Sequence, residues 1–288
     1  MNLQDWVGRQ ETVSDVITAT PIAALAATLD RPSASDGQRP NKGAVVPLLW
    51  HWLYFLPLYP QSEIGADGHA KSGGFLPPVL LPRRMWAGSD FVFHEPLLVS
   101  DKLSRTSTIV DVKEKSGRTG SLIFVKVRHE LRRNGSNEVA LTEHHNIVYR
   151  AAASPSDVVP TPIAAPTQFD WQSKVVPNDV LLFRYSALTF NGHRIHYDRQ
   201  YVTEVEGYPG LVVHGPLIAT MLMDLLQRQL SQAVVQKFEF KAVRPTFDIN
   251  PFSVQGKVAA DGLSVHLWAC DHEGWLTMDA TATLAAPV

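Results

Sequence analysis

Strand-like runs come in two sets of three in this chain, and each set follows an apolar helical stretch. In the first set, Phe93-His94-Glu95-Pro96 leads into residues 106–113, 122–131 and 138–149. In the second, residues 238–245 lead into 253–258, 264–269 and 276–284. Ile123, Val125, Val127 and Leu131 share one face, with Lys126, Arg128 and Glu130 on the other; Val265, Leu267 and Ala269 repeat the alternation. A period of two marks a strand with one buried face. Glycine-bearing turns at residues 116–120, Asn134-Gly135 and Asp261-Gly262 separate the runs, which predicts antiparallel meanders. The helical stretches are residues 21–29 and 216–232. In the second, Leu217, Met221 and Leu225 recur at helical spacing, and Pro216 suits a first helical position because its missing N–H would be unpaired there anyway. A helix followed by an antiparallel sheet, twice over, predicts an α+β tandem repeat.

Residues 151–167 hold four prolines and almost no periodicity, so they read as an exposed connector between residues 1–150 and residues 168–288. The 288 residues suffice for two such units, and 45% hydrophobic against 19% charged residues supplies a sizeable core. A net charge of -2 gives no reason to expect nucleic acid as a partner. The lone cysteine, Cys270, excludes an internal disulfide framework, fits a reducing compartment and reads as a packed small hydrophobe. No apolar run is long enough to span a bilayer, and the first nine residues lack a basic-then-apolar signal layout, so a cytoplasmic location is expected, with no membrane partner. The aromatic run at residues 50–55 and the proline-rich residues 73–88 fit neither meander. An irregular apolar segment of that length is usually functional or packs over something.

Chemistry concentrates in Asn191-Gly192-His193-Arg194-Ile195-His196-Tyr197-Asp198, which is followed by Val213-His214-Gly215-Pro216. His196 is the candidate for proton transfer, because an unperturbed imidazole titrates near physiological pH. Asn191 cannot be a base, but its amide can orient a water or a histidine tautomer. His193 fits a structural hydrogen-bonding role. Asp198 would project beside His196 if this stretch were extended, and not if it were helical. The N–H of Gly215, at the helix start, has no side chain in the way of an approaching carbonyl oxygen. His214 reads as a cap or core contact. A metal site is not predicted: the His193-x-x-His196 spacing stands without a Cys pair or an HExxH pattern. Phosphate-loop and GxSxG patterns are absent as well.

These residues, with the Gly210-Leu211-Val212 that precedes Val213, resemble the MaoC-like (R)-specific hydratase family, nearest its hydroxyacyl-thioester dehydratase type 2 branch. The first half, through residues 73–88, Phe93-His94-Glu95-Pro96 and Asp111-Val112-Lys113-Glu114-Lys115, resembles the N-terminal domain of double-hotdog members. Among these it is most similar to those acting on mesaconyl-C4-CoA and itaconyl-CoA. The resemblance implies a double hotdog, each half an antiparallel sheet wrapped around a central helix. It implies one active site, carried by the second half and bordered by a non-catalytic first half. It also implies reversible syn addition of water across the 2,3 double bond of an acyl-CoA thioester, a hydro-lyase reaction on a short branched dicarboxylyl group, with the CoA thioester as substrate and no cofactor. The family pairs an Asp with a His five residues later; here His196 holds the His position, while the Asp position is Asn191. The family's Asn and Pro are His193 and Arg194. The expectation is therefore a single base, His196, with Asn191 holding the water, Gly215 polarising the thioester carbonyl, and His193, Asp198 and His214 in support. Arg83, Arg84, Arg194, Lys241 and Arg244 are candidates for CoA phosphates, with Arg84 and Arg194 also for an acyl carboxylate. The alternatives are a hotdog thioesterase, which a carboxylate at the helix start would favour and Gly215-Pro216 does not supply, and a non-catalytic acyl-CoA-binding protein. Homo-oligomer formation stays open, since a double hotdog already contains the pair that single hotdogs assemble from two chains.

Overall fold

A computed structural model describes residues 2–31, 39–71, 73–117, 120–151 and 161–286. The first half contributes β1 Gln10–Val16, β2 Arg83–Phe93, β3 Lys102–Gly117, β4 Gly120–Arg133 and β5 Val139–Arg150. The second contributes β6 Trp171–Val175, β7 Val235–Ala242, β8 Phe252–Val258, β9 Ser264–Cys270 and β10 Leu276–Leu284. All ten form one antiparallel sheet in the order β1-β3-β4-β5-β2-β7-β10-β9-β8-β6. Read outwards from its centre the order is the same on both sides, so the sheet is a pseudo-twofold repeat. The seam is the β2–β7 pair, with Ser89 opposite Phe240 and Phe91 opposite Phe238.

Among the described residues three α-helices complete the fold: α1 Ala19–Thr28, α2 Asp179–Leu188 and α3 Gly215–Gln229. The curved sheet of the second half closes on α3, which contacts β6, β8, β9 and β10. Apolar residues run almost all round this helix, and Leu217, Ile218, Leu222, Leu225 and Leu226 are all buried. Each such side chain stabilises the fold by roughly 1.5–3 kcal/mol on transfer from water. The α+β double hotdog expected from the sequence is thus borne out.

Three expectations need correction. Residues 21–29 do form α1, but its place directly after the first strand of its half makes it the counterpart of α2, against which it packs. The counterpart of α3 in the first half is a single 3-10 turn, Trp50–Leu53, with Trp50, His51 and Leu53 buried. It follows Leu49 in a left-handed conformation (φ 69°), which an L-residue cannot propagate into a right-handed helix. Residues 73–88 are not irregular throughout: their prolines end at Pro82, and Arg83 opens β2, the strand that joins the halves. Its Gly88 lies at a bulge where a Cβ would overlap the Phe240 carbonyl, so the seam closes only around a glycine. Finally, the expected connector is not exposed throughout. Ala164 bridges to Trp275, and the buried Ala165 donates its N–H to the Gly274 carbonyl at 2.9 Å. Residues 152–160 of it lie outside the described residues.

The edge strands β1 and β6 and helix α2 were not anticipated. Polar edge strands such as Gln10–Val16, exposed along nearly its whole length, carry little hydrophobic signal. Among the described residues no helix is long and apolar enough to cross a membrane. Cys270 is buried on β9, as its half-buried strand predicted.

Candidate active site

The Asn191-to-Asp198 motif begins where α2 ends. Phe190 takes a left-handed backbone (φ 50°) that turns the chain off the helix, and the Asn191 N–H caps it by donating to the Ser186 carbonyl at 2.8 Å. The Asn191 side-chain oxygen then accepts the His193 N–H at 3.0 Å, an Asx turn. That bond takes one of the two lone pairs of the amide oxygen and fixes the side chain in the turn. Arg194–His196 forms a 3-10 turn, so Asp198 does not lie beside His196 as an extended stretch would place it. Asp198 instead accepts two hydrogen bonds from the Arg194 guanidinium, at 2.9 and 2.7 Å, and one from the Tyr201 N–H at 3.0 Å. The Tyr201 backbone bond first, and then Arg194, hold its carboxyl below the usual range.

His196 is buried, and its Nδ1 lies 2.7 Å from the Val212 carbonyl. A carbonyl only accepts, so Nδ1 carries the proton and Nε2 presents a lone pair. Burial pushes His196 down to about 4, against the raising effect of the Val212 bond. A neutral, oriented imidazole at pH 7 follows. Beneath it lies His214, fully buried and stacked with ring centroids 3.7 Å apart and planes inclined by 16°. His214 Nε2 is 2.8 Å from the Ser186 hydroxyl of α2, and burial holds this histidine well below its usual value. His214 is thus a buried residue stacked on the His196 ring.

The first half supplies two residues that the sequence reading missed. Residues 63–71 reach across to the motif, where Gly68 (φ 90°) meets Gly192 backbone to backbone, and a Cβ on Gly68 would overlap the Gly192 carbonyl. The Arg194 N–H donates to the Asp67 carbonyl at 2.9 Å, and its guanidinium to the Ala66 carbonyl at 3.0 Å. This clamp delivers Asp67 and His69. Asp67 accepts the His69 N–H at 3.0 Å and the His69 Nδ1–H at 2.9 Å. The His69 hydrogen bond, above all, holds the Asp67 carboxyl well below its usual range. The His69 ring packs at 4.0 Å on His193, whose own ring stands edge-on to His196 at 5.5 Å. Burial, then His69 and His196, depress His193 far below its ordinary value. An Asp-x-His in an irregular stretch was the only local signal.

Gly215 opens α3, so its N–H has no intrahelical acceptor, and Pro216 brings none of its own. A methyl group on Gly215 would meet nothing nearer than Met278 Cε at 3.9 Å, so packing does not require glycine here. The first turn of α3 contains no acidic residue.

The five cations scatter. Arg194 is committed to Asp198 and Ala66 and lies over the Tyr201 ring at 4.2 Å, so the expectation that it binds an acyl carboxylate gives way to a structural one. Arg83 pairs with Glu206 at 3.2 Å, tying β2 to the second half. Arg84 sits close enough to His69 and His193 for its charge to add to the lowering that burial imposes on both. Lys241 is exposed on β7 opposite Gly88 and Asp279, and Arg244 faces Asp271 at 3.5 Å. Of the five, Arg84 is the one beside the histidines. Asp67, His69 and His193 offer ligand atoms within 4.8 Å of one another, but both Asp67 oxygens are already bonded to His69.

Comparison with known proteins adds four findings. The family model described as hydroxyacyl-thioester dehydratase type 2 matches residues 49–248. The chain is 43% identical over 280 residues to the mesaconyl-C(4)-CoA hydratase of Chloroflexus aurantiacus, covering 97% of this chain and 96% of that one. A MaoC-like dehydratase from Phytophthora capsici superposes with a TM-score of 0.71 at 14% identity over the full length of both chains. A double-hotdog protein of Mycobacterium tuberculosis superposes with a TM-score of 0.58 at 14% identity, over 97% of this chain and 96% of that one. The last two are likenesses of fold.

Proposed function

The chain belongs to the hydroxyacyl-thioester dehydratase type 2 family, and on that premise we propose that it adds water reversibly across the 2,3 double bond of an enoyl-CoA thioester. A short branched dicarboxylyl group, as in mesaconyl-C4-CoA, is the acyl class that the similarity to the Chloroflexus aurantiacus hydratase favours. The observation that carries the reading is His196: a buried imidazole, neutral at pH 7, with Nδ1 fixed on the Val212 carbonyl and Nε2 free to take a proton.

The thioester carbonyl would lie against the Gly215 N–H, where the helix dipole and the unpaired donor favour the negative charge of an enolate. The Nε2 of His196 removes a proton from water as the oxygen attacks C3. The same imidazolium returns the proton to C2, which gives syn addition. His214 supports the His196 ring from below. Arg84 is the group to hold a second acyl carboxylate, as a guanidinium does with two parallel hydrogen bonds. No cofactor enters this scheme. Thioester hydrolysis, the alternative, is disfavoured because the first turn of α3 lacks a carboxylate.

The test is to mix purified protein with mesaconyl-C4-CoA and follow the enone-thioester absorbance. The reading predicts its decay, without release of free thiol. Unchanged absorbance with both this thioester and crotonyl-CoA would sink it.

A further inference from the structure

The family pattern places a carboxylate where this chain has Asn191, a neutral amide whose oxygen already accepts the His193 N–H of its own turn. A water poised between His196 and a substrate has two protons, and one acceptor orients it poorly. An imidazole nitrogen with a free lone pair is a stronger second acceptor than a neutral amide oxygen already engaged in a turn. We propose that His69, oriented by Asp67, is a second catalytic residue, whose Nε2 holds the water that His196 deprotonates. The proposal rests on the hydratase reading above.

Three observations carry it. First, the tautomer is fixed: Asp67 spends both oxygens on His69, one on the backbone N–H and one on Nδ1–H, so Nε2 bears the lone pair. An aspartate that orients an imidazole in this way is a known device for setting which nitrogen reacts. Second, the placement is built. The Gly68–Gly192 contact and the two bonds from Arg194 to the 66–67 backbone lock the His69 loop to the His196 loop. Third, His193 packs against both rings, 4.0 Å from His69 and 5.5 Å from His196 between centroids, so the two histidines share one locality. The His69 side chain is 23% exposed and Asp67 sits on its far nitrogen, so the ring is neither sealed in the core nor free to turn. The polar groups packed around it are Asp67, His193 and Arg84.

The step balances without a further reactant. The water oxygen bonds to C3 while the C2–C3 π pair moves to the thioester oxygen at Gly215. One water proton passes to His196 Nε2 and then to C2 as the enolate collapses. The other stays on the new hydroxyl, still donated to His69 Nε2. In dehydration the same bond draws the departing hydroxyl away from C3.

The experiment compares wild type, His69→Ala, Asp67→Asn and His196→Gln with mesaconyl-C4-CoA, measuring kcat and KM separately and repeating His69→Ala with added imidazole. Turnover by the wild type is checked first, so that failure of the hydratase reading is seen before any variant is judged. The proposal expects His69→Ala to lose about 100-fold in kcat, the low end of general acid–base effects, with little change in KM and partial recovery by imidazole. Asp67→Asn, which leaves the ring in place but frees its tautomer, should lose at least about tenfold in kcat. A His69→Ala enzyme as fast as wild type, or one impaired in KM alone, would overturn the proposal. So would inactivation of the wild type by a chelator, which would assign Asp67, His69 and His193 to a metal instead.

Discussion

Among the described residues two histidine clusters stand out, and they place their carboxylates differently. In the first half, His51 and His145 flank the buried carboxylate of Glu143 at 3.0 and 2.5 Å, and Trp52 donates its indole N–H to the same carboxylate at 3.0 Å. Beside them, His129 bonds the Ser107 hydroxyl at 2.8 Å. Burial alone would raise the Glu143 carboxyl, yet His145 and His51 hold it well below its usual range. At the junction of the halves, His69, His193, His196 and His214 gather with their carboxylate, Asp67, at one end of the row. There the fixed partner of His196 is a backbone carbonyl, which sets its tautomer and adds no negative charge. A central carboxylate ties together the place where the first half lacks a long helix. A carboxylate at one end of a row leaves His196 neutral with only a backbone carbonyl as its fixed partner.

Glu143→Ala attacks the first cluster and should cost about 3–5 kcal/mol in urea unfolding, because it leaves buried donors facing nothing. Activity per folded molecule should stay near wild type. If stability is kept and turnover lost, the roles of the two clusters are reversed. Acid should act chiefly on the junction. Burial pulls His69, His129, His193, His196 and His214 below their ordinary values, and four of these lie there. Their folded values lie below the unfolded one, so the unfolded chain takes up protons first as pH falls. Stability is full above about pH 6.5. It declines as pH drops from there towards about 4, the folded value of His196. Each unit of displacement contributes about 1.4 kcal/mol. Unfolding midpoints at pH 7.5 and 5 measure this, and a flat profile would contradict the burial of neutral imidazoles.

Gly215→Ala separates site from scaffold more finely. The methyl has room, and alanine favours a helix over glycine by up to about 1 kcal/mol, so the protein should be as stable as wild type or slightly more so. Hydration should slow by about tenfold, some 1.4 kcal/mol of barrier, because the methyl crowds the thioester oxygen. Equal rates would mean that the carbonyl binds elsewhere. Ser186→Ala has the smallest effect: it leaves His214 Nε2 without its partner and should cost about 1 kcal/mol in stability, with a minor loss of rate.

The parts of this picture that were legible in the sequence are those written in contiguous residues. Alternation exposed β4 and β9, helical spacing exposed α3, and the Asn191-to-Asp198 motif exposed His196. What was missed depends on distance in the chain. Asp67 and His69 sit in a stretch without periodicity, and only the Gly68–Gly192 contact brings them to the motif. β2 was hidden because its proline-rich approach and Gly88 read as irregular, although the prolines stop before the strand begins. Arg194 looked free for a ligand because its partners, Asp198 four residues on and Ala66 in the other half, appear only once the loop turns. Asn191 was assigned to the water on its chemistry, and its oxygen also accepts the His193 N–H, a bond that appears only once the loop turns.

The most direct measurement is hydration of mesaconyl-C4-CoA by His196→Gln, made together with its unfolding midpoint. Glutamine keeps a polar side chain of similar length but cannot carry a proton to carbon. Turnover should fall by about 10²–10⁴ with the midpoint preserved. A variant within twofold of wild-type turnover would show that the base of this reaction is not His196.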